Sequence, residues 1–422
     1  MQISYSQENK GNGICFSEAY DKKFKTNLVT VRFITKLDKN ITPLYSLLVT
    51  ILGTSNSKLK TRTALNMELL SLYDSKLGDF SYAVGDCLVT GMNVGYIGDS
   101  YTLDKEVISH KLVRILLDCL FEPDIENGKF NEKYFKQKKD EMIEAVKCEI
   151  NDKRNFAQLR ASGFIYEGEP AAVYENGTVE QLEDITQEQL VNAYKNLIEN
   201  SSIDVSIVGC EENKYIKEMI FEELSKHKRN CSENISFKAP SVIKPKPELI
   251  AENYDVNQAK MILAFKTDND DFYAHKLMCA IFGGTPFSQL FANVREKMSL
   301  CYYCSSSIVE CKNTMIVDSA VDFANVEKAK EEILRQLELV ANGEFSDDMF
   351  ENTKKYLYSG FKSNYDSIAS INSWLFTQRI RGSDYMPDDV NKIISEISRE
   401  RVVQSAKSFK LDTVYVMQSE VK

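Results

Sequence analysis

Histidine is almost missing from this chain: there are three in 422 residues, His110, His227 and His275. No two lie near each other in sequence. A zinc centre built on one helix needs two imidazoles a turn apart, so no single helix here can hold one. Each of the three reads as a surface or packing residue. An excess of positive charge is missing too. Lys and Arg number 52 against 62 Asp and Glu, a net charge of -10. Binding a phosphate backbone needs a basic face, so no nucleic acid partner is expected. No apolar run reaches the roughly 20 residues of a membrane span. The N-terminal MQISYSQENKGNG has no signal pattern. The expectation is a chain with no membrane partner, located in the cytoplasm. A G-x-G-x-x-G fingerprint and a phosphate loop are also absent, and no Ser or Cys nucleophile has a recognisable partner motif.

A disulfide framework is not expected either. The ten cysteines are irregularly spaced, which in a chain of this length suggests reduced thiols. One C-x-x-C occurs, Cys301 and Cys304, inside a predicted strand. Strand residues three apart point to opposite faces. Such a pair cannot chelate from one side, and both cysteines read as small packing residues.

What is present is an ordinary globular composition, 43% hydrophobic and 27% charged, long enough for at least two domains. Asn27 to Ile34 alternates apolar and polar residues and predicts a strand. Residues 42–52 predict a helix, with Thr42 as N-cap, Pro43 in the first turn and Gly53 at the exit. A longer helix is expected over 61–77 and strands over 80–97. Helices follow at 105–121, 132–150, 154–166 and 186–199, then a strand at 203–208 and a helix at 213–227. The stretch 226–248 is polar and carries Pro240, Pro245 and Pro247, a linker composition. The second half then restates the first. A strand at 260–265 leads to a helix at 272–282 that ends in Gly283-Gly284. A short amphipathic helix follows, with Leu290, Phe291 and Val294 on one side and Arg295, Glu296 and Lys297 closing it. Strands come next at 300–308 and 314–321, helices at 326–340, 347–362, 369–381 and 388–398, and a last strand at 413–417. The opening strands are offset by about 230 residues, the scale of a duplication and not of a solenoid repeat. The expected fold is α+β: two homologous halves, each a mostly antiparallel sheet packed with helices. The expected boundaries are 1–227 and 249–422, joined by a linker at 228–248.

Phe282 to Ser307 is the most specific passage. Only Met298 and Ser299 separate the helix from the tyrosine-rich strand, so Arg295 and Tyr302 must lie close. Arg295 offers five donors in a rigid fork and Tyr302 a phenolic hydroxyl. Together they could hold a carbonyl oxygen or a developing oxyanion. The structural alternative is a helix-capping Arg and a core-facing Tyr.

The ordered string of Gly283-Gly284, Ser288 to Phe291 (SQLF), Arg295 to Lys297 (REK) and Leu300 to Tyr302 (LCY) resembles the second-half motif of the insulinase/pitrilysin family of zinc peptidases, which includes the mitochondrial processing peptidases. The seven-residue Arg–Tyr spacing matches as well. Through the two-half organisation the resemblance spans nearly the whole chain. The family's other motif, H-x-x-E-H, is lost: its positions fall on Leu44, Leu47 and Leu48. Glu149, near where the family's later Glu ligand falls, has no site to complete. The glycine-rich loop of the mitochondrial metal-free subunit is also absent, since Gly284 runs through Thr285, Pro286 and Phe287 into the helix. The resemblance therefore implies the metal-free subunit of a bacterial two-chain peptidase, with no cofactor of its own and no activity alone. It implies a homologous partner carrying H-x-x-E-H and the zinc, and a peptide or unfolded segment as substrate. Arg295 and Tyr302 would bind the substrate backbone and the oxyanion across the chamber. The alternative is a peptidase-like binding or assembly protein with no catalytic role.

Overall fold

The computed structural model describes residues 3–231 and 235–419. Residues 1–2 of the N-terminal reading, 232–234 of the expected linker and 420–422 of the expected C-terminal boundary lie outside the described residues.

The chain packs as two units. One comprises Met1–Lys147, Val173–Phe237 and Asn364–Asp384; the other comprises Cys148–Ala172, Lys238–Ser363 and Tyr385–Lys422. The first is built on six strands: β1 (Ser4–Gly11), β2 (Ile14–Tyr20), β3 (Thr26–Lys36), β4 (Lys76–Val84), β5 (Cys87–Ile97) and β6 (Ser202–Gly209). They lie in the order β1-β2-β6-β3-β5-β4, with only β2 and β6 parallel. The second unit has β7 (Glu248–Asn253), β8 (Ala259–Lys266), β9 (Cys301–Val309), β10 (Thr314–Val321) and β11 (Lys410–Gln418). Their order is β9-β10-β8-β11-β7, again with one parallel pair, β7 and β11. Read in reverse, this order superimposes on β2-β6-β3-β5-β4 strand for strand, and the parallel pair falls in the same place. The α+β class and the duplicated halves expected from sequence are both seen.

Both faces of each sheet are covered. In the first unit Val29, Val31 and Phe33 of β3 enter a core shared with the helices Thr42–Leu52, Ser109–Phe121 and Gln187–Asn200. On the other face Thr30 and Arg32 stand opposite Ser206 and Asp204 beneath the Ile368–Arg381 helix. Asn372 donates to Thr30 at 3.2 Å, and its carbonyl oxygen accepts from Ser206. Asp204 takes Arg32 at 2.7 Å and Arg379 at 2.8 Å. In the second unit the Lys153–Ile165 helix has the same role: Ala157, Ala161 and Ile165 pack on Ile262, Ala264 and Tyr415. There Lys266, buried on that face, meets Asp412 at 3.2 Å and the Ile165 carbonyl at 2.7 Å.

Several local expectations need correction. The helix expected over 61–77 runs only Arg62–Ser71. Tyr73 and Asp74 adopt φ of 61° and 53°, the left-handed region that ends a helix, and Lys76 opens β4. Thr42 is not the N-cap. Ile41 holds that position without a side-chain bond, and the Thr42 hydroxyl accepts from the Asp38 amide at 2.9 Å. The helix expected from residue 105 begins at Ser109, after Lys105 at φ 55°. The strands β1, β2 and β7 and the Arg399–Ser408 helix are not predicted by the periodicity at all.

Candidate functional site

The segment from Gly283 to Tyr302 lies wholly within the second unit. Gly283 sets the close approach at its start. A Cβ there would stand 2.7 Å from Leu290 Cδ1 and 2.9 Å from the Ser306 amide nitrogen, so only glycine lets this turn lie on β9. Gly283→Ala is expected to cost about 1–3 kcal/mol, the usual penalty of overpacking, read as a lower melting temperature.

Both helical pieces of the segment, Ala280–Gly284 and Leu290–Lys297, are wound as π-helix. Such turns are rare and concentrate at functional sites. Leu290 and Val294 anchor the second piece in the core. Asn293 holds it through Gln289 and Gln336, each at 2.8 Å. Gln336 donates onward to Glu332 at 2.6 Å. The fork of Arg335 on Glu332 keeps that carboxyl below its usual range. Beyond the helix, Ser299 takes a left-handed φ of 51°, uncommon for a residue with a Cβ, and β9 then begins with a bulge. Cys301 pairs with Val321 and Tyr303 with Ala320, so Tyr302 is the extra residue, outside the ladder. A bulge of this kind re-aims side chains.

The two tyrosines therefore part company. Tyr303 is tied down: its hydroxyl donates to Asp318 at 3.1 Å, and the Arg154 guanidinium lies 4.2 Å from its ring centre. Burial first, and the Asp318 carboxylate after it, push its phenol pKa up. Tyr302 is 64% exposed, and its hydroxyl has no partner among the described residues. Arg295 is 42% exposed and lies 3.6 Å from Glu296 and 4.8 Å from the Phe291 ring centre, both on its own helix. Tyr302 thus faces away from the core, and the helix carrying Arg295 packs directly on β9. Both side chains are presented to solvent as donors.

The bulge also overturns the reading of Cys301 and Cys304. In a regular strand they would face opposite ways. Here Cys301 sits across from Val321 and Cys304 across from Ser319, two residues apart on β10 and so on one face. The two thiols therefore share that face, Cys304 buried and Cys301 partly open to solvent.

The zinc positions of the family resemblance do not fit a metal. Leu47 and Leu48 are fully buried in the apolar core of the first unit, and Leu44 packs against it. No atom of these side chains can ligate, and the described residues contain no group of three or more His, Cys, Asp or Glu able to hold an ion. Glu149 opens a short turn, Glu149–Asn151, assigned to the second unit. The histidines are engaged elsewhere. His110 stacks on Tyr215 and His227 on Phe121. His275 is buried between the Ser405 hydroxyl at 2.7 Å and the Asn269 carbonyl at 2.9 Å; burial lowers its pKa.

Residues 184–357 match the family model described as the peptidase M16 inactive domain. A curated relative from Bacillus subtilis (strain 168), named "Probable inactive metalloprotease YmfF", is 25% identical over 421 residues, covering 98% of each chain. Among solved structures, a conserved protein from Enterococcus faecalis V583 aligns over 100% of both chains with a TM-score of 0.89 at 22% identity. A peptidase M16 inactive domain from Pseudomonas fluorescens aligns over 100% of this chain and 98% of its own, with a TM-score of 0.82 at 15% identity. At those identities the two structures speak for the fold alone. Among the described residues no helix is long and apolar enough to cross a membrane.

Proposed function

We propose that this chain, whose residues 184–357 match the peptidase M16 inactive domain and which is similar over its length to a probable inactive metalloprotease, is the metal-free subunit of a two-chain zinc peptidase. The partner is a homologous chain carrying H-x-x-E-H. The zinc belongs to that chain and there supplies the activation of the attacking water. This chain contributes Arg295 and Tyr302. The Arg295 fork hydrogen-bonds the peptide backbone and fixes its register. The Tyr302 hydroxyl donates to the carbonyl oxygen as it gains charge. Donors set in place before the reaction need no reorganisation during it, and that is the source of their effect.

One observation carries the proposal. Of two adjacent tyrosines, the structure half-buries and bonds Tyr303 and leaves Tyr302 outside the ladder, exposed and without a partner among the described residues. A structural tyrosine has no need of the bulge. The substrate class that suits this site is an extended peptide or unfolded segment, whose backbone offers repeated carbonyl acceptors.

Sedimentation of this chain mixed with an H-x-x-E-H subunit, followed by metal analysis of the fractions, tests the assembly. The expected result is one heavier species that carries the zinc, with none travelling with this chain alone. A proper site keeps its metal through purification. Two independent species at micromolar concentration, or about one zinc held by the isolated chain, would overturn the proposal.

A further inference from the structure

We propose that Cys301 and Cys304 form an oxidisable dithiol site, closed into a disulfide across Tyr302 and Tyr303 by a low-molecular-weight disulfide of the glutathione class. Both thiols are free and lie on one face of β9 only because Tyr302 is bulged out. The partner residues Val321 and Ser319 are separated by two strand steps, about 7 Å. That lies just beyond the Cα separation of roughly 4.4–6.8 Å that a disulfide spans. Closure therefore needs a small contraction, and the backbone that must contract is the bulge, where the ladder is already interrupted.

The two cysteines differ in a way that assigns their roles. Cys304 is buried, whereas Cys301 is partly open to solvent. The neighbouring Cys304 thiol above all, and the positive charge of Arg295 after it, hold the Cys301 thiol below its usual range, while Cys301 and burial push Cys304 up. Cys301 is thus the attacking thiol, since the thiolate is the nucleophile, and Cys304 is the resolving one. The Cys301 thiolate attacks one sulfur of the reagent disulfide. That S–S bond breaks, and the first thiolate leaves and takes up the proton that Cys301 lost. The Cys304 thiolate then attacks the Cys301 sulfur of the mixed disulfide. The second reagent thiolate leaves and accepts the proton from Cys304. The two protein sulfurs are oxidised by two electrons in all, and the reagent is reduced by two.

The test uses the isolated full chain and no partner subunit, so its outcome is independent of the peptidase reading. The reduced protein is treated with excess glutathione disulfide, alkylated, and mapped by mass spectrometry, with the exposed Cys148 as internal reference. The expected result is loss of two hydrogen atoms on the peptide holding Cys301 and Cys304, with both protected from alkylation and regained on reduction. Cys304→Ser is expected to stop at the first step and accumulate one glutathione on Cys301. Cys301→Ser is expected to leave Cys304 unmodified. Glutathione collecting at Cys148 while Cys301 and Cys304 stay alkylatable in the wild-type chain would overturn the proposal. That comparison needs no variant, so it decides the matter even if a serine substitution misfolds.

Discussion

In the proposed two-chain assembly, Tyr302→Phe is expected to lower turnover by about 100- to 1,000-fold while leaving assembly and melting temperature unchanged. The magnitude is that of losing one preorganised donor at a developing oxyanion. The absence of a stability effect follows from the structure. The hydroxyl bonds nothing among the described residues and the ring is 64% exposed, so removing one oxygen breaks no native contact. Arg295→Lys keeps the charge but loses the planar fork, and turnover should fall there too. Tyr303→Phe is the informative control. It breaks the bond to Asp318, so it should lower stability with little change in turnover per assembled pair. Measuring kcat and melting temperature on the same samples separates the outcomes. Full activity in both Tyr302→Phe and Arg295→Lys would leave a scaffold that binds or assembles without taking part in chemistry.

Asp204→Ala is expected to be the most damaging single substitution in the first unit, costing about 3–5 kcal/mol. Asp204 is 1% exposed and is shared by two arginines, Arg32 and Arg379, at 2.7 and 2.8 Å. Breaking a buried ion pair leaves its partner charge uncompensated, which is the origin of that magnitude. Here two guanidinium groups lose their counter-charge at once. At roughly 2–4 °C per kcal/mol for a unit of this size, the melting temperature should drop by on the order of ten degrees. Glu144→Ala, at an exposed pair with Lys147, should move it by no more than about one or two degrees, since such pairs are worth at most a few tenths of a kcal/mol. Equal effects at the two sites would contradict the burial argument.

Much of this architecture is legible in the sequence because it rests on local rules. The bounds read for Thr42–Leu52, Thr314–Val321 and Asp347–Lys362 are those observed, since each has clear periodicity and a clear stop. The duplication is legible because the same order of elements returns after about 230 residues. The polar faces of the sheets are not. Thr30 and Arg32 alternate with Val29, Val31 and Phe33, and such alternation predicts a strand with one wet side. In the molecule that side is sealed by the Ile368–Arg381 helix, more than three hundred positions later, and its polar groups are paired. No local pattern announces a cover from so far away. The site is split in the same manner. The motif is visible as residues, and its seven-residue spacing is a fact of sequence. The bulge that frees Tyr302 and turns Cys301 and Cys304 to one face is a matter of pairing with β10, which periodicity within β9 cannot reveal.

The covering helices also set the timetable of biosynthesis. The first unit has all six of its strands by Gly209, but the helix that supplies Asn372, Phe376 and Arg379 to its charged face ends at Arg381. While the intervening residues are being translated, Arg32 and Asp204 lie on an open sheet surface. At 5–20 residues per second the wait from Phe237 to Asp384 is roughly seven to thirty seconds. The usual vectorial order, in which an N-terminal domain closes before the next emerges from the ribosome, cannot apply. The nascent chain must carry an incomplete, aggregation-exposed sheet for about two fifths of its synthesis, which makes it a natural client for a ribosome-associated chaperone. Cutting the gene between its two halves would yield two fragments that each lack a lid and can mature only together.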